Sequence, residues 1–423
     1  MKITLIAGAR PNFMKIAALI HAIQAHNGLV DERISGLGEN ISYRLVHTGQ
    51  HYDKNMSDTF FEELGIPAPD VNLGCGGGTQ AEQTAHIMVA FEKELLEHPT
   101  DVVLVVGDVT STMACSIVAK KLNTKVCHVE AGIRSWDLTM PEEINRMVTD
   151  SLADYMFTTS DVANRNLIRQ GAELVESLTF SDESSSKVER DESLPEDKYA
   201  YERVPQKVWH VGNVMIDTLL ANRARFRKPE VWDELGLKEK EFVVMTMHRP
   251  ANVDEENHLR AMMEQIIDNV HGLPVIFPIH PRTAKLFYNL WKPTSDSSLK
   301  GREVCEDSED ILAKRFPNLH IVEPMGYLEF NYLVERAKAV VTDSGGITEE
   351  TTVMGVPCIT LRDNTERPET CTVGTNELIG TKPEAIKPAL DKLFAGEWKK
   401  GAIPELWDGH AAERIIEILA GLE

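Results

Sequence analysis

The sequence predicts an α/β fold with two Rossmann-like, doubly wound domains, and three observations support that prediction. Short apolar, β-branched runs alternate with stretches of helical period, as in parallel sheets covered by helices. Some runs, such as residues 101–106 (DVVLVV), are apolar almost throughout, which is typical of central parallel strands. Glycines and charged residues follow the runs directly, at the strand ends where such sheets bind ligands.

The first half of the chain shows this alternation clearly. Apolar residues recur at helical spacing between the β-branched runs. We predict strands at residues 3–7, 43–47, 101–106 and 125–129, with helices at residues 12–25, 81–96 and 112–121.

The alternation restarts after residues 208–212 and indicates a second domain. The predicted strands are residues 242–245, 274–277, 320–322, 339–341 and 357–360, with a helix at 259–270 and an amphipathic helix at 411–419. We therefore assign residues 1–207 to an N-terminal domain, 208–400 to a C-terminal domain, and 401–423 to a terminal helix that could pack back on the first domain. Residues 174–207 and 293–309 are rich in Ser, Asp, Glu and Lys, which predicts surface insertions.

Charge and cysteine content narrow the class of protein. The 423 residues carry a formal net charge of −22, which argues against nucleic acid or an anionic membrane as partner. The sequence offers no signal peptide and no membrane-spanning run of about 20 apolar residues. The six cysteines lack CxxC spacing. We predict a soluble, cytoplasmic protein without disulfides or a cysteine metal site.

A turn in the second half is the first candidate ligand site. Ser344, Gly345 and Gly346 follow the strand at residues 339–341 and open a helix. A strand, a glycine turn and a helix N-terminus present free N–H groups and a positive dipole end to a phosphate. Glu349 and Glu350 lie in the first turns of that helix, where one of them could reach sugar hydroxyls. The alternative is an ordinary strand-to-helix turn.

The turn after the first strand is a second anion-binding candidate. Gly8, Arg10 and Lys15 gather there, but the spacing is not the GxGxxG of a dinucleotide site. Arg binds phosphate through a planar fork and Lys binds it as a point charge. The alternative is that Arg10 only caps a neighbouring element.

Three carboxylates indicate acid–base chemistry. Asp108 and Glu130 follow the strands at 101–106 and 125–129, and Glu142 lies in a helical stretch just beyond. Their convergence on one crevice would raise at least one pKa, which suits proton transfer. Two alternatives remain open. An ion pair could join Glu142 or Glu143 to Arg146 one helical turn away, and His128 could add a ligand to a metal site.

Cationic residues end two strands of the second half. His248 and His280 occupy matching places that we expect to face the 344–346 turn. Residues 362–369 (RDNTERPE) form a dense polar segment after a strand, either a lid or phosphate-binding loop or a solvated surface loop. Together the residues imply a cleft between the domains, with carboxylates on one side and an anion site on the other, suited to a phosphorylated or nucleotide-linked small molecule.

Eleven motifs in order then give a specific resemblance. They are GARPN-x-x-K, HTGQHYD, VVGDVTST, HVEAGIRS, MPEEINR, GNVMIDTL, HRPANVD, HPR, TDSGGITEE, GVPCITLRDNTERPE and VGTN. From residue 1 to about residue 380, the sequence closely resembles the non-hydrolysing UDP-N-acetylglucosamine 2-epimerases. The resemblance implies a GT-B fold and interconversion of UDP-N-acetylglucosamine and UDP-N-acetylmannosamine through UDP elimination and a 2-acetamidoglucal. It implies no metal and no redox cofactor.

The resemblance also implies roles for individual residues. Asp108, Glu130 and Glu142 match the acid–base carboxylates, and His248 matches a catalytic histidine near the diphosphate. Arg10, Lys15, Ser344 and Gly346 match phosphate contacts, Glu350 matches the ribose-binding glutamate, and Phe330 matches the residue that stacks on uracil. Further predicted substrate-binding residues are Arg146, Gly345 and Arg367, the last of which lines the cleft. Gln50 and His51 match the regulatory site of allosteric members.

Departures from the family pattern leave the substrate and the regulation open. Ala9 and Asn12 replace the commoner Thr and Glu, and Thr348 replaces Gln. Tyr52 and Asp53 differ from the allosteric members. We expect a cytoplasmic homodimer that supplies a mannosamine-type sugar for surface polysaccharide. The alternatives are a 2-epimerase for a 2,3-diacetamido or 6-deoxy UDP-sugar, a GT-B glycosyltransferase, and a non-catalytic UDP-sugar sensor.

Overall fold

The chain divides into two compact units in a computed structural model that describes residues 1–31, 39–50, 63–175, 206–279, 287 and 308–422. Unit 1 comprises Met1–Ala221 and Glu405–Glu423, and unit 2 comprises Asn222–Pro404. Most of each predicted polar insertion lies outside the described residues.

Unit 1 is built on a parallel sheet, which has eight strands within the described part of the chain. The strands are β1 (Lys2–Ala7), β2 (Ser42–His47), β3 (Val71–Asn72), β4 (Val102–Val106), β5 (Lys125–Val129), β6 (Tyr155–Thr158), β7 (Glu173–Leu174) and β8 (Lys207–His210). Their spatial order is β3-β2-β1-β4-β5-β6-β8-β7. All five residues of β4 are buried, as expected for an apolar strand at the centre of a sheet.

Helices cover this sheet and begin at recognisable signals. They are α1 (Arg10–Asp31), α2 (Gln80–Glu97), α3 (Thr110–Lys121), α4 (Pro141–Leu152), α5 (Asp161–Ile168) and α6 (Val214–Asn222). Thr79 and Glu82 form a capping box at the start of α2. Ser160 caps α5, and Pro141 occupies the first turn of α4.

Unit 2 repeats the architecture around a parallel sheet with six strands among its described residues. The strands are β9 (Val243–Thr246), β10 (Val275–Pro278), β11 (Leu319–Val322), β12 (Ala339–Thr342), β13 (Cys358–Thr360) and β14 (Asn376–Leu378), in the order β11-β10-β9-β12-β13-β14. The helices are α7 (Glu230–Glu234), α8 (Pro250–Val253), α9 (Glu256–Asn269), α10 (Ser308–Arg315), α11 (Tyr327–Arg336), α12 (Gly345–Met354), α13 (Pro368–Thr372) and α14 (Ile386–Phe394), with 3-10 turns at Arg223–Arg225 and Pro383–Ala385.

The C-terminal segment belongs to unit 1. Its helix α15 (Ala411–Ala420) packs against α1. Asp217 accepts hydrogen bonds from the backbone N–H groups of Ala411 (3.2 Å) and Ala412 (2.6 Å), so it binds the start of α15. Trp407 is buried and donates its indole N–H to Thr159 O at 2.9 Å.

The division between the units differs from the predicted boundary at 207/208. Strand β8 pairs in parallel with β6, so it completes the first sheet instead of starting the second. Unit 1 therefore extends through α6 to Ala221. The boundary predicted before residues 208–211 differs because hydrophobicity predicts a strand but does not determine which sheet that strand joins.

Two further features bear on the predictions from composition. Within the described ranges, no helix is long and apolar enough to cross a membrane. Cys75, Cys115, Cys127, Cys358 and Cys371 are free thiols, and Cys305 lies outside the described residues.

Candidate active site

The predicted site residues of unit 1 follow the strands where the order of the sheet reverses. Strands β1 and β4 are neighbours, and the sheet continues outward from them in opposite directions. Ligands of doubly wound sheets bind at this switch point, outside the carboxyl ends of the strands. The turn containing Gly8 follows β1, the turn containing Asp108 follows β4, and Glu130 follows the adjacent strand β5. The topology therefore brings the two predicted turns to one edge of the sheet.

Unit 2 has its own switch point, between β9 and β12. His248 follows β9 and the turn at Ser344 follows β12. The hypothesis that His248 faces this turn agrees with its pairing to Asp343, the residue before Ser344. His280 lies outside the described residues.

Glu130 forms a buried ion pair with Lys15. The exposed fraction is 1% for Glu130 and 4% for Lys15, and the ammonium contacts Glu130 Oε2. Glu130 has a φ of +72°, a left-handed backbone conformation that non-glycine residues seldom adopt. Backbone hydrogen bonds to Phe157 O from Glu130 N (2.9 Å) and Ala131 N (3.0 Å) hold the turn. A residue kept in this region by its surroundings is a common feature of functional sites.

Asn12 stabilises the turn after β1 instead of facing a ligand. Its Oδ1 accepts hydrogen bonds from Gly8 N (3.3 Å) and Ala9 N (3.1 Å), and its Nδ2 donates to Val106 O at 2.8 Å. The same amide therefore ties the turn after β1 to the end of β4. Arg10 begins α1.

Asp108 is partly exposed and contacts Arg146. The exposed fraction of its side chain is 24%, against 1% for that of Arg146. Arg146 also binds Glu143, with 2.7 Å between Nη2 and Oε2. The ion-pair alternative raised from the sequence is thus confirmed for Glu143, which is buried, whereas Glu142 lies on the exposed side of α4.

Glu143 is held as an anion that anchors Arg146. Burial by itself would raise the pKa of Glu143, but hydrogen bonds from Ser135 N, Arg146 and Trp136 N outweigh it and lower the pKa. The backbone N–H groups lie 3.0 Å (Ser135) and 3.1 Å (Trp136) from its oxygens. Glu143 therefore fixes the guanidinium that contacts Asp108.

His128 is engaged on both ring nitrogens. Nδ1 lies 2.6 Å from Asp150 Oδ1, and Nε2 lies 2.8 Å from Gly107 O. Both partners are buried hydrogen-bond acceptors, so both ring nitrogens are already engaged by protein oxygens. This arrangement argues against the alternative of His128 as a metal ligand. No group of three or more His, Cys, Asp or Glu within the described ranges is placed to hold a metal ion.

Gln50, predicted as a regulatory residue, lies near the start of α3. Its Oε1 accepts hydrogen bonds from Ser111 N (3.2 Å) and Ser111 Oγ (2.8 Å). Ser111 Oγ also lies 2.7 Å from Thr48 Oγ1. The side-chain oxygen of Gln50 thus satisfies a backbone N–H of the first turn of α3. His51 lies outside the described residues.

In unit 2, Asp343 organises the segment that carries His248. Asp343 is fully buried, and its Oδ1 lies 2.9 Å from His248 Nδ1. Its Oδ2 accepts hydrogen bonds from Arg249 N at 2.9 Å and Asn252 Nδ2 at 3.1 Å. Burial would raise the pKa of Asp343, but His248 and the backbone N–H groups hold it below its usual range. The imidazole of His248 is largely exposed, and its contact with Asp343 orients it.

The turn after β12 is closely surrounded by charged side chains. A Cβ added at Gly345 would lie 2.7 Å from Glu366 Oε1 and 3.4 Å from Arg367 Nη1, so a side chain at this position would displace these charged groups. Ser344 is the N-cap of α12, and its side chain makes no capping hydrogen bond. The helix N-terminus thus keeps the character of an anion site.

Charged side chains of residues 362–369 take part in a buried network of ion pairs. Glu366 lies between two guanidiniums, 2.6 Å from Arg362 Nη2 and 2.9 Å from Arg367 Nη1. Arg367 Nε continues to Glu349 Oε1 at 2.6 Å. The exposed fractions of these four residues are 6% or less. The alternative of a solvated surface loop is therefore wrong, and Glu349 has a structural role that the sequence did not reveal.

Glu350 differs from the other acids because its described partners are uncharged. Its Oε1 accepts hydrogen bonds from Tyr327 OH at 2.8 Å and Asn331 Nδ2 at 3.5 Å. Burial raises the pKa of Glu350 to about 7, and these donors lower it only in part. Burial and Glu350 in turn raise the pKa of Tyr327 well above its usual value. Phe330, in the same helix α11, is partly buried against the core of unit 2.

The sequence predictions missed Asp150, Asp343 and Tyr327, and left open whether Glu142 or Glu143 pairs with Arg146. A signal for part of this set was present in α4. Glu143, Arg146 and Asp150 are spaced i, i+3 and i+7, which places three charged residues on one helix face. All three are buried. Tyr327 and Glu350 gave no such signal, since they are far apart in sequence and on different helices.

Comparisons with known proteins agree with these observations. Residues 37–420 match the family model described as UDP-N-acetylglucosamine 2-epimerase. A curated UDP-N-acetylglucosamine 2-epimerase of Methanocaldococcus jannaschii is 35% identical over 99% of both chains. The crystal structure of the enzyme of that name from M. jannaschii, in complex with UDP-GlcNAc and UDP, has a TM-score of 0.77 and covers 99% of both chains at 35% identity.

A relative with a different substrate in its name is almost as similar. The UDP-2,3-diacetamido-2,3-dideoxy-D-glucuronate 2-epimerase of Pseudomonas aeruginosa is 33% identical over the full length of both chains.

Proposed function

The chain belongs to the UDP-N-acetylglucosamine 2-epimerase family, and we propose on that basis that it interconverts UDP-N-acetylglucosamine and UDP-N-acetylmannosamine. The protein is an isomerase with the two parallel α/β sheets of a GT-B-like fold. The observation that carries the proposal is the presence of Asp108 and Glu130 after the neighbouring strands β4 and β5, each paired with a cationic side chain.

The proposed reaction has two steps. A carboxylate removes the proton at C2, the C1–C2 double bond forms, and the bond from C1 to the diphosphate oxygen breaks, so UDP leaves with the electron pair. UDP then adds back to C1 of the 2-acetamidoglucal while an acid protonates C2 on the opposite face. Asp108, Glu130 and Glu142 are the candidates for these proton transfers, and the assignment of the C2 base among them stays open.

The geometry of unit 1 supports this role for two of the carboxylates. Arg146 and Lys15 compensate the charges of Asp108 and Glu130, so acidic groups can remain close to the switch point at a tolerable electrostatic cost. Asp108 retains solvent access, as a group that exchanges protons with substrate requires. Glu142 is exposed on α4, which supports an approach to substrate.

We assign the UDP moiety to unit 2. The diphosphate binds the turn at Ser344, Gly345 and Gly346, where the N-terminus of α12 favours anions. His248, oriented by Asp343, stabilises the negative charge of the departing diphosphate. Glu350 accepts hydrogen bonds from the ribose hydroxyls, and Phe330 stacks on uracil. Arg10 and Lys15 in unit 1 stay predicted phosphate contacts, and Arg367 acts through its ion pairs with Glu349 and Glu366.

Proton exchange at C2 tests the proposal directly. Purified protein is incubated with UDP-N-acetylglucosamine in deuterated water and followed by NMR. We expect deuterium at C2 and the appearance of UDP-N-acetylmannosamine without net release of UDP. Folded protein that binds UDP but leaves the C2 proton in place would overturn the proposal.

A second candidate is a 2-epimerase for a 2,3-diacetamido UDP-sugar. The P. aeruginosa relative named above supports it. Of the departures from the family pattern, Asn12 makes its hydrogen bonds to the backbone of its own turn and to Val106 O at the end of β4, so it does not argue for either sugar. Turnover of the two sugars measured side by side separates the candidates, since the substrate with the larger kcat/KM identifies the specificity.

The protein is proposed to act as a cytoplasmic homodimer. The five cysteines within the described residues are free thiols, which suits a reducing compartment. Exposed apolar side chains on α2 (Val89, Leu96) and near α4 (Trp136, Leu138) offer surface for a subunit contact. Light scattering on the purified protein measures the oligomeric state, and a monomer at micromolar concentration would contradict the proposed homodimer.

Regulation through Gln50 is a further proposal. It is tested by whether UDP-N-acetylglucosamine accelerates the reverse reaction in the wild type but not in Gln50→Ala.

A further inference from the structure

We propose that Asp150 and His128 form a positioning pair that holds the two turns carrying Asp108 and Glu130 in their reactive arrangement. The inference rests on the proposed function of those two carboxylates. Asp150 lies 22 residues beyond His128 in sequence, and the fold brings the two side chains together.

Asp150 binds the turn after β5 directly. Its Oδ2 accepts a hydrogen bond from Gly132 N at 3.1 Å and lies 2.6 Å from Arg134 Nη1. Gly132 has a φ of +78°, and an added Cβ would lie 2.5 Å from Ala163 O, so this turn has one tightly constrained conformation. Glu130 precedes it by two residues with its own left-handed backbone. The carboxylate of Asp150 therefore stabilises the conformation that presents Glu130.

His128 extends the same contact to the turn after β4. Its Nδ1 lies 2.6 Å from Asp150 Oδ1, and its Nε2 donates to Gly107 O at 2.8 Å. Gly107 has a φ of +69° and immediately precedes Asp108. The carboxylate of Asp150 and the carbonyl oxygen of Gly107 are both acceptors, and the ring of His128 connects them through its two nitrogens. One buried acid thus connects the backbones of both turns.

Helix α4 carries both Asp150 and the arginine that forms the ion pair with Asp108. Arg146, which contacts Asp108, and Asp150 are four residues apart on the buried face of α4. The helix therefore holds the Asp108 side chain through Arg146, and holds the two turns through Asp150. Burial would raise the pKa of Asp150, but His128 and Arg134 keep it below its usual range, so the network remains ionic.

The matched control is Asp154, at the opposite end of β5. Asp154 Oδ2 accepts a hydrogen bond from Val126 N at 2.8 Å, and its Oδ1 lies 2.7 Å from Lys120 Nζ. Asp154→Asn loosens the amino end of the same strand and leaves the turns of Asp108 and Glu130 untouched. A general loss of stability would affect both variants, whereas loss of positioning affects Asp150→Asn alone.

The test compares Asp150→Asn, His128→Gln and Asp154→Asn with the wild type in the full-length protein. We expect Asp150→Asn to lower kcat for C2 exchange by about 10- to 100-fold, as for a small displacement of reacting groups, with KM and the Kd of UDP within about twofold of wild type. His128→Gln retains a donor for Gly107 O and should lose about tenfold. Asp154→Asn should lower the Tm while leaving kcat unchanged.

Amide hydrogen exchange on the ligand-free proteins measures how firmly the two turns are held, independently of catalytic turnover. Asp150→Asn and His128→Gln should accelerate exchange at Gly107, Asp108 and residues 130–132, and Asp154→Asn should not. An inactive wild type with these exchange changes would refute the proposed function and retain the positioning pair. An active wild type whose kcat and exchange are unaffected by Asp150→Asn would overturn the inference. So would failure of both Asp150→Asn and His128→Gln to fold while Asp154→Asn folds, because the pair would then be purely structural.

Discussion

Asp150 in unit 1 and Glu350 in unit 2 are both buried carboxylic acids near the switch point of a parallel sheet, yet their surroundings differ in charge. Asp150 contacts His128 and Arg134, and its pKa is lowered although burial opposes this. Glu350 contacts Tyr327 and Asn331, and burial raises its pKa to about 7. The comparison teaches that the charge of the partners, more than the depth of burial, decides the ionisation of an acid.

The difference matches the two tasks proposed for the units. A permanently ionic network holds turns whose position must not change during proton transfer. An acid with uncharged partners can exchange a hydrogen bond from tyrosine for one from a ligand hydroxyl at low cost. The following predictions test this contrast, from the largest expected effect to the smallest.

The largest effect should follow Asp108→Asn. The substitution keeps the shape of the side chain but removes a proton acceptor, so kcat for C2 exchange should fall by about 10²- to 10⁴-fold. The Kd of UDP, measured by calorimetry, should change little because unit 2 supplies its proposed binding site. Glu142→Gln, measured in parallel, reports whether the exposed glutamate shares the role. Near-normal turnover of Asp108→Asn would remove Asp108 from the acid–base set.

The next effect is on stability, and it contrasts the two buried acids. Asp150→Asn leaves Arg134 and His128 without their anion, so the free energy of unfolding should fall by about 3–5 kcal/mol. Glu350→Gln at pH 6 replaces a mostly protonated acid by an amide and should change it by less than about 1 kcal/mol. Urea unfolding measures both. Equal losses would show that burial alone governs the two sites.

The pH dependence of stability should isolate Glu350. Its pKa in the folded protein is raised from 4.5 to about 7, so its contribution is fully present below pH 4.5 and is lost as the pH rises through 7. The ligand-free protein should therefore lose up to about 3 kcal/mol across this window from Glu350 alone. The difference between wild type and Glu350→Gln, followed by Tm against pH, should show this slope. A difference that is flat with pH would contradict the raised pKa.

The smallest effect concerns UDP affinity. If ribose hydroxyls donate to the ionised carboxylate, affinity follows the ionised fraction of Glu350 and should rise about tenfold between pH 6 and pH 8. Ionisation of the UDP phosphate also contributes to this slope, and Glu350→Gln provides the correction because it retains that contribution. Parallel slopes in wild type and Glu350→Gln would exclude Glu350 from ribose binding.

Much of the fold was predictable because residue patterns within short segments determine the strands and turns. The strand at residues 102–106 was evident from five consecutive apolar residues, and the strand before Ser344 from its β-branched run. The turns that follow these strands were predictable because glycines and charged residues come directly after the apolar runs. The exception was Lys207–His210, since an isolated apolar strand joins whichever sheet edge the tertiary structure offers.

The candidate site was predictable only in part. Glu142 and Glu143 are adjacent and chemically identical, and the packing of α4 decided which one binds Arg146. Asn12, a departure from the family pattern, proved to stabilise its own turn. Glu349 gained a buried arginine from a segment that composition alone made equally compatible with a surface loop.

The amino-acid sequence by itself therefore determined the α/β class, the strand-end location of the site and membership of the epimerase family, because periodicity and motifs are properties of short segments. Only the tertiary structure decided which acids have a lowered pKa and which have a raised one. Asp150 meets His128 across 22 residues and Glu350 meets Tyr327 across 23, and the ionisation of each depends on the charge of that distant partner.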